Sequence, residues 1–189
     1  IASTIGSDVG WPKDDWRVNQ SIPASNVIHD VAIARASGAE LVIVSLHIRA
    51  AGGYAPRATE RAQVEEITAH GDVDLVVMHG PHTIQPVEIV NGAIVYWSLG
   101  NFISGMGEGD GPSSDRRRLD GLMARVQFTE QADGTWVGAS EAILLCNVPG
   151  TRLVYPGIGT LADPTIDSNL RAKLTACEKR SLRIISDLR

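Results

Sequence analysis

Two apolar segments of this sequence each lead directly into histidine. His47 follows the segment 41–46, and His79 and His82 follow the segment 75–77 within one short turn. Neutral imidazole is a common ligand for zinc and other transition metals, and it also serves as an acid or base near neutral pH. A single histidine in such a position is more often a polar surface or capping residue. Two such positions in succession favour a shared site.

The elements around these histidines alternate between helix and strand. The sequence predicts a strand over 1–6, a helix over 26–37, a strand over 40–47, a helix over 57–70 and a strand over 74–78. This rhythm implies parallel strands joined by right-handed crossovers. Open α/β sheets build their sites at the carboxyl edge of such strands. We therefore expect the three histidines to converge at that edge.

The second half of the sequence changes its pattern. We predict a tight hairpin over 87–96, a mobile glycine-rich loop over 105–115, a longer hairpin over 122–145, a loop over 149–164 and a final helix over 168–188. The tight hairpin rests on Asn-Gly, which is a strong hairpin signal. A mixed sheet, or a pair of sheets flanked by helices, follows from this order, and it fits a layered α/β/β/α sandwich.

Composition excludes some classes of partner. The chain has 189 residues and a net charge of -5, which argues against nucleic acid. No apolar stretch approaches the roughly 20 residues of a membrane span. Arg116 to Arg118 form a short basic run that is either solvated or in contact with an acidic polymer or substrate. The sequence has no signal peptide and starts within a strand, so we expect that an N-terminal part has been lost.

The two cysteines do not form a CxxC pair. Cys146 and Cys177 lie far apart in the sequence, so a structural zinc cluster is not expected. They form either one disulfide in an oxidising compartment or two buried free thiols. A disulfide would join the final helix to the last strand of the longer hairpin.

Few carboxylates are placed to complete a metal site. Asp74 begins its strand and therefore lies at the wrong end, and Glu88 lies in the tight hairpin, where a solvated or cross-strand role is favoured. A second polar cluster runs from Ser98 to Asn101 at the end of a strand. Asn101 there either forms a turn over aromatic packing or contacts a ligand.

Four segments, taken together and in order, resemble the CapA family of capsule or poly-γ-glutamate synthesis proteins, which are related to calcineurin-like metallophosphoesterases. The segments are His47 after its strand, 74–82, 85–88 and 96–102. The pairing of His-Gly-Pro-His with Ser-Leu-Gly-Asn-Phe is specific, whereas either motif alone is weak. The resemblance covers 1–149 and includes a closing hairpin over 118–148.

The resemblance implies an α/β fold. The expected architecture is a four-layer α/β/β/α sandwich of the calcineurin-like metallophosphoesterase type, partial at its N-terminus. Residues 1–149 would form a CapA-like domain, the C-terminal portion of the family domain. Residues 150–189 would form a C-terminal extension with a packed helix.

The resemblance also implies a site and a role. By position it assigns His47, His79 and His82 as catalytic residues and candidate ligands of a divalent metal (Mn, Zn or Fe), with Ser98 and Asn101 as binding residues. It implies a protein of the bacterial cell surface or the extracellular space. That protein would act in synthesis, release or anchoring of an anionic polymer, or would bind a small phosphorylated or carboxylated ligand.

The sequence departs from the family pattern at several positions. The family usually has Trp-Gly and then Glu-Tyr after the first histidine, but residues 48–54 lack the Trp and the Glu, and Met78 replaces a glycine. The Gly-Asp and Asn-x-Glu motifs, which carry carboxylates, are expected before residue 1, in a missing segment or chain. Two functions therefore stay open. One is a metal-dependent hydrolase in the full-length protein, with this chain alone inactive, and the other is a non-catalytic binding or scaffold protein. A small-molecule phosphoesterase rests on fold analogy alone.

Overall fold

The computed structural model describes residues 1–5, 23–48, 53–108 and 114–185. The strands are β1 (Ala2–Ile5), β2 (Ile43–Ile48), β3 (Leu75–His79), β4 (Val87–Val90), β5 (Ala93–Tyr96), β6 (Asp120–Glu130), β7 (Trp136–Val148) and β8 (Leu153–Pro156). The helices are α1 (Ala24–Ala36), α2 (Ala58–His70), α3 (Gly157–Leu161) and α4 (Ser168–Ile185), with one 3-10 turn at Arg116–Leu119.

The larger sheet has five strands in the order β1-β2-β3-β5-β4. Strands β1, β2, β3 and β5 pair in parallel, and β4 returns antiparallel to β5. The parallel pairing predicted from the alternating pattern is therefore confirmed, as is the tight hairpin. In this register His47 of β2 stands opposite His79 of β3, so both strands end at the same edge.

The two faces of the larger sheet pack against different partners. One face packs against α1 and α2, and its buried core includes Val44, Leu46, Val76 and Met78. Side chains alternate along a strand, so the neighbouring residues Leu75 and Val77, and with them His79, point to the other face. That second face packs against β6 and β7 through apolar residues that include Tyr96, Val126 and Phe128.

The smaller sheet has the order β6-β7-β8 and carries α4 on its outer face. Leu122 and Leu144 of the sheet share a buried cluster with Leu174 of α4. Cys146 of β7 and Cys177 of α4 are bonded, with Cα atoms 6.0 Å apart. Of the two states left open by the sequence, the structure shows the disulfide.

A buried ion pair also fixes α4. Both carboxylate oxygens of Asp120, at the start of β6, accept hydrogen bonds from Arg180 at 2.9 and 2.8 Å. The hydroxyl of Ser181 donates a third bond at 3.1 Å. Asp120 is only 2% exposed, and its burial raises the pKa of the carboxyl group against the opposing effect of Arg180. Helix α4 is thus bound to the smaller sheet by a covalent and an ionic link.

Some predicted boundaries need correction. The segment 149–164, predicted as a loop, contains β8 and α3. Helix α1 begins at Ala24, two residues before the predicted start, and follows Pro23 without a side-chain cap. Proline suits this position because its fixed φ is compatible with the extended backbone found there and it has no N–H to satisfy. The predicted end of the last helix at 188, and part of the 105–115 loop, lie outside the described residues.

The mixed α/β class is confirmed by the two sheets and their helices. The more specific assignment to a four-layer metallophosphoesterase sandwich stays a prediction. The proposed division into 1–149 and 150–189 also stays a prediction. Within the described ranges, α4 packs closely on β7, which lies on the other side of the predicted boundary.

Candidate functional site

His47 and His79 lie side by side at the carboxyl edge of the larger sheet. They are register partners on neighbouring parallel strands and point to the same face. His47 is exposed and His79 is half-buried. Thr4, the register partner of His47 on β1, places its hydroxyl 3.4 Å from Nδ1 of that ring. The structure therefore brings two of the three predicted histidines together.

Burial and the neighbouring His47 both lower the pKa of His79 from its ordinary value of 6.5. Burial is the larger cause, because a charged ring loses hydration inside the protein. At neutral pH His79 is therefore a neutral imidazole. In that state its unprotonated nitrogen can accept a proton or coordinate a metal, and its N–H can donate to an anion.

The pKa of His79 is expected to lie below 6.5 in the folded protein and to rise on His47→Gln, though not to its ordinary value, because burial remains. At a pH between the His79 pKa of the folded state and that of the unfolded state, the unfolded state binds more protons than the folded state. Hence the His79 contribution to stability is complete above about pH 6.5 and declines as the pH falls below it. Titration of the ring protons by NMR measures the shift. A His79 pKa at or above 6.5 in the unmutated protein contradicts the expectation.

The turn after His79 depends on a glycine. Gly80 has a φ of +117°, which only glycine adopts readily, and a Cβ atom there would overlap the carbonyl oxygen of Ile48. The backbone of the turn thus lies directly against the end of β2, one residue beyond His47. Pro81 is buried, and His82 follows in the left-handed region with a φ of +60°.

Asn101 fixes the ring of His82. Its Nδ2 donates to the carbonyl of Arg118 at 2.9 Å and to that of His82 at 3.4 Å. Its Oδ1 therefore faces Nδ1 of His82 at 2.9 Å and accepts a hydrogen bond from it. An amide oxygen only accepts, so the ring proton is on Nδ1. When the ring is neutral, its Nε2 keeps a lone pair for a proton, a metal or a hydrogen-bond donor.

Ser98 supports the turn that holds Asn101. Its hydroxyl accepts a hydrogen bond from the backbone N–H of Gly100 at 3.2 Å, and the residue is only 1% exposed. The predicted binding role of Ser98 stays a prediction, as does the convergence of His82 with the pair formed by His47 and His79.

The two carboxylates considered in the sequence have structural partners. Asp74 accepts from Arg35 at 2.7 Å and from the backbone N–H of Val42 at 2.7 Å, at the amino end of its strand. Glu88 forms a two-bond ion pair with Arg61 of α2, at 2.9 and 3.1 Å. Arg61 lowers the pKa of Glu88. Neither carboxylate is thus placed beside the histidine pair.

The described residues do not by themselves complete a metal centre. Within 1–5, 23–48, 53–108 and 114–185, no three side chains of His, Cys, Asp or Glu are grouped so that they could hold an ion. His47 and His79 supply two imidazoles, whereas a zinc site ordinarily uses three or four protein ligands. The predicted Mn, Zn or Fe cofactor therefore stays a prediction.

An apolar cavity of about 660 Å³ opens beside His79. It lies between the larger sheet and β6, where Leu75, Val77 and Leu122 contribute to its walls. Phe102, directly after Asn101, also lines it and is 68% exposed. The imidazole of His79 is thus one of few polar groups on an otherwise apolar wall, which strengthens its hydrogen bonds to a polar ligand.

The structure adds residues that the sequence reasoning missed. Thr4 could have been found, since it lies near the carboxyl end of β1, at the same edge as the histidines. Arg118 contributes its backbone carbonyl, and no sequence signal identifies such a contact.

Comparison with known proteins identifies the family. The family model for bacterial capsule synthesis protein PGA_cap matches residues 5–106, which is more than half of the chain. This chain therefore belongs to that family, and the resemblance drawn from the motifs is confirmed. The match includes all five candidate site residues and ends before β6.

A curated relative is also similar to part of the chain. The PGA biosynthesis protein CapA of Bacillus subtilis (strain 168) is 32% identical over 69 residues. These residues are 36% of this chain and 18% of that relative, so the chain aligns with less than a fifth of its length. In the part of the chain that the structure describes, no helix is long and apolar enough to cross a membrane.

Proposed function

We propose that this protein acts in the synthesis, release or anchoring of an anionic polymer of the bacterial surface, either poly-γ-glutamate or a capsule. Family membership supports a role in capsule biosynthesis. The observation that carries the proposal is the pairing of His47 and His79 at the carboxyl edge of the parallel sheet, with the turn of His82 and Asn101 fixed after it. A surface or extracellular location goes with this role, and the Cys146–Cys177 disulfide supports it.

The proposed action of the site is to bind an anionic group of the polymer. A neutral imidazole donates one N–H, and a carboxylate or phosphate oxygen accepts it. His79 is held neutral by burial and by His47, so it donates without carrying a charge of its own. A metal-dependent hydrolase remains a proposal for the full-length protein only. We assign no step to a metal here, because the described residues do not complete its ligand set.

A non-catalytic binding or scaffold role is the second candidate. The observation that favours it is the arrangement of Asn101, whose amide group is engaged on both sides by the ring of His82 and by two backbone carbonyls. Such a fixed ring can serve as a rigid contact for an anion without any catalytic step.

The isolated chain is expected to show no turnover of poly-γ-glutamate or of a phosphodiester, even with added zinc or manganese. His79→Ala is expected to weaken binding of a labelled poly-γ-glutamate oligomer about tenfold, which corresponds to about 1.4 kcal/mol. It should change the free energy of unfolding by about 1 kcal/mol or less, since a partly exposed histidine at the end of a strand contributes little to the core. Fluorescence anisotropy and urea denaturation measure the two effects.

The matched control is His29→Ala, whose side chain is 73% exposed and which belongs to α1, the helix on the opposite face of the larger sheet from His79. The control variant should bind the oligomer like the unmutated chain. Metal-dependent turnover by the isolated chain, abolished by His79→Ala, would show that the scaffold role is wrong. Absence of any binding by the unmutated chain would remove the polymer proposal itself.

A further inference from the structure

A second cavity, of about 540 Å³, lies between α4 and the residues Tyr54 and Pro86. It is distinct from the apolar cavity beside His79, and we call it the cationic cavity. Among the described residues, those that line it are Tyr54, Pro86, Lys179, Arg180, Arg183 and Ile184. Half of these residues carry a positive charge, although the chain as a whole has a net charge of -5. The charge is therefore a local feature of this cavity.

The helical spacing brings two of the cations together. Lys179 and Arg183 are four residues apart on α4 and therefore lie on the same face. Like charges at this spacing repel each other and weaken a helix. Arg183 is in the last turn of α4, where cations interact favourably with the helix end, and Arg180 pairs with Asp120. An anion bound beside Lys179 and Arg183 would offset the repulsion between them.

Arg180 is held rigidly in the wall of the cationic cavity. Asp120 accepts from its Nε and Nη2 atoms, so the Nη1 group is not used by this ion pair. A guanidinium group carries five N–H donors, and Asp120 and a second anion can be bound from different sides. Because the side chain is already ordered, binding an anion here costs less conformational entropy than binding it to a free arginine.

A further arginine approaches the same cavity. The guanidinium of Arg117 lies over the ring of Tyr54 at 4.7 Å from its centroid. Asp115 holds this side chain through two bonds at 2.7 and 2.6 Å. Arg117 belongs to the basic run that the sequence analysis considered for contact with an acidic polymer. The structure places that run beside a residue that lines the cationic cavity.

The cationic cavity is close to the histidine turn. The carbonyl of Gly53, next to Tyr54, accepts from Thr83 at 2.7 Å, directly after His82. Pro86 lines the cavity and is four residues beyond His82. Four residues of chain span at most about 14 Å. A ligand chain in the cavity is therefore within reach of the turn.

We propose that the cationic cavity is a docking subsite for the carboxylates of an anionic polymer, which it holds beside the histidine site. The identity of the polymer as a polycarboxylate rests on the proposed function. The subsite itself rests on the cavity, its three cations and its distance from His82. Most of its lining comes from α4, which lies outside the residues 5–106 that match the family.

The test compares two variants that each remove two positive charges. Lys179→Gln/Arg183→Gln changes the cationic cavity, and Lys173→Gln/Arg125→Gln removes charge elsewhere on α4 and on β6. Binding of a labelled poly-γ-glutamate oligomer to the whole chain is measured by fluorescence anisotropy at low salt, since screening weakens such contacts. We expect the dissociation constant to rise about tenfold or more in the cavity variant and less than about twofold in the control.

Three results would overturn the inference. Equal losses in both variants would show that only net charge matters, and unchanged binding in the cavity variant would place the polymer elsewhere, while leaving the proposed function intact. Polyphosphate of equal length is the probe for the third result. If it binds the unmutated chain as tightly as poly-γ-glutamate does, and if the cavity variant loses the same factor of affinity for both, the assignment to carboxylates is wrong. Absence of binding by the unmutated chain is the separate failure of the proposed function. Thermal denaturation of each variant confirms that it is folded.

Discussion

Reduction of the Cys146–Cys177 disulfide is expected to lower the free energy of unfolding by about 3–4 kcal/mol. The two residues are 31 positions apart, and opening that loop restores conformational entropy to the unfolded chain. For a protein of this size, such a loss lowers the melting temperature by roughly 10 °C. Thermal denaturation with and without reductant measures the effect. Because the disulfide links α4 to β7, its reduction should also speed amide hydrogen exchange in α4.

The variant Cys146→Ala/Cys177→Ala separates the disulfide from the reductant. Its melting temperature should be low and should not respond to the reductant. A melting temperature of the unmutated protein that is unaffected by full reduction would mean that Asp120 and the apolar contacts of Leu174 already hold α4 in place. The disulfide would then contribute nothing measurable to stability. The proposed extracellular location would lose the support that it takes from this bond.

Gly80→Ala is expected to lower the free energy of unfolding by about 3–5 kcal/mol. An alanine there must adopt a φ of +117°, and its Cβ must also displace the carbonyl of Ile48. The turn can relax only by moving away from β2. That movement changes the positions of His79 and His82, so the variant should also lose oligomer binding. Urea denaturation and the NMR signals of the two histidines measure these effects.

Gly92→Ala is the matched control. Gly92 also has a positive φ, of +90°, but a Cβ atom there meets nothing within 4 Å. Its cost is therefore only that of the backbone conformation, about 1–2 kcal/mol. If both substitutions cost the same, the close approach of Gly80 to Ile48 contributes nothing to stability, and the turn is not fixed by it.

The strands and hairpins of the larger sheet could be predicted because their signals are local. Two apolar runs that end in His47 and His79 each predict a strand from a few adjacent residues. The Asn91-Gly92 pair predicts the hairpin in the same local way. The parallel order then follows from the alternation of helix and strand. These signals were sufficient to place two of the three histidines at one edge.

The remainder depends on contacts between distant residues. The tautomer of His82 is set by Asn101, which is 19 positions away. The amide of Asn101 is in turn oriented by its hydrogen bond to the backbone carbonyl of Arg118. The segment of β8 and α3 reads as a loop because proline and glycine interrupt it, and pairing with β7 overrides that signal. The cationic cavity was not predicted, because it combines α4 with Tyr54 and Pro86.

The ion pair between Asp120 and Arg180 has a consequence for the order in which the protein folds. Its partners are 60 positions apart, whereas the turn at Asn91 and the crossover helices use near neighbours. Contacts between distant positions form late, because the entropy of closing the intervening chain must first be overcome. The β4–β5 hairpin and the crossover helices are therefore expected to form before α4 docks through this ion pair. Until that docking occurs the cationic cavity is incomplete, because Arg180 and three other residues of α4 line it.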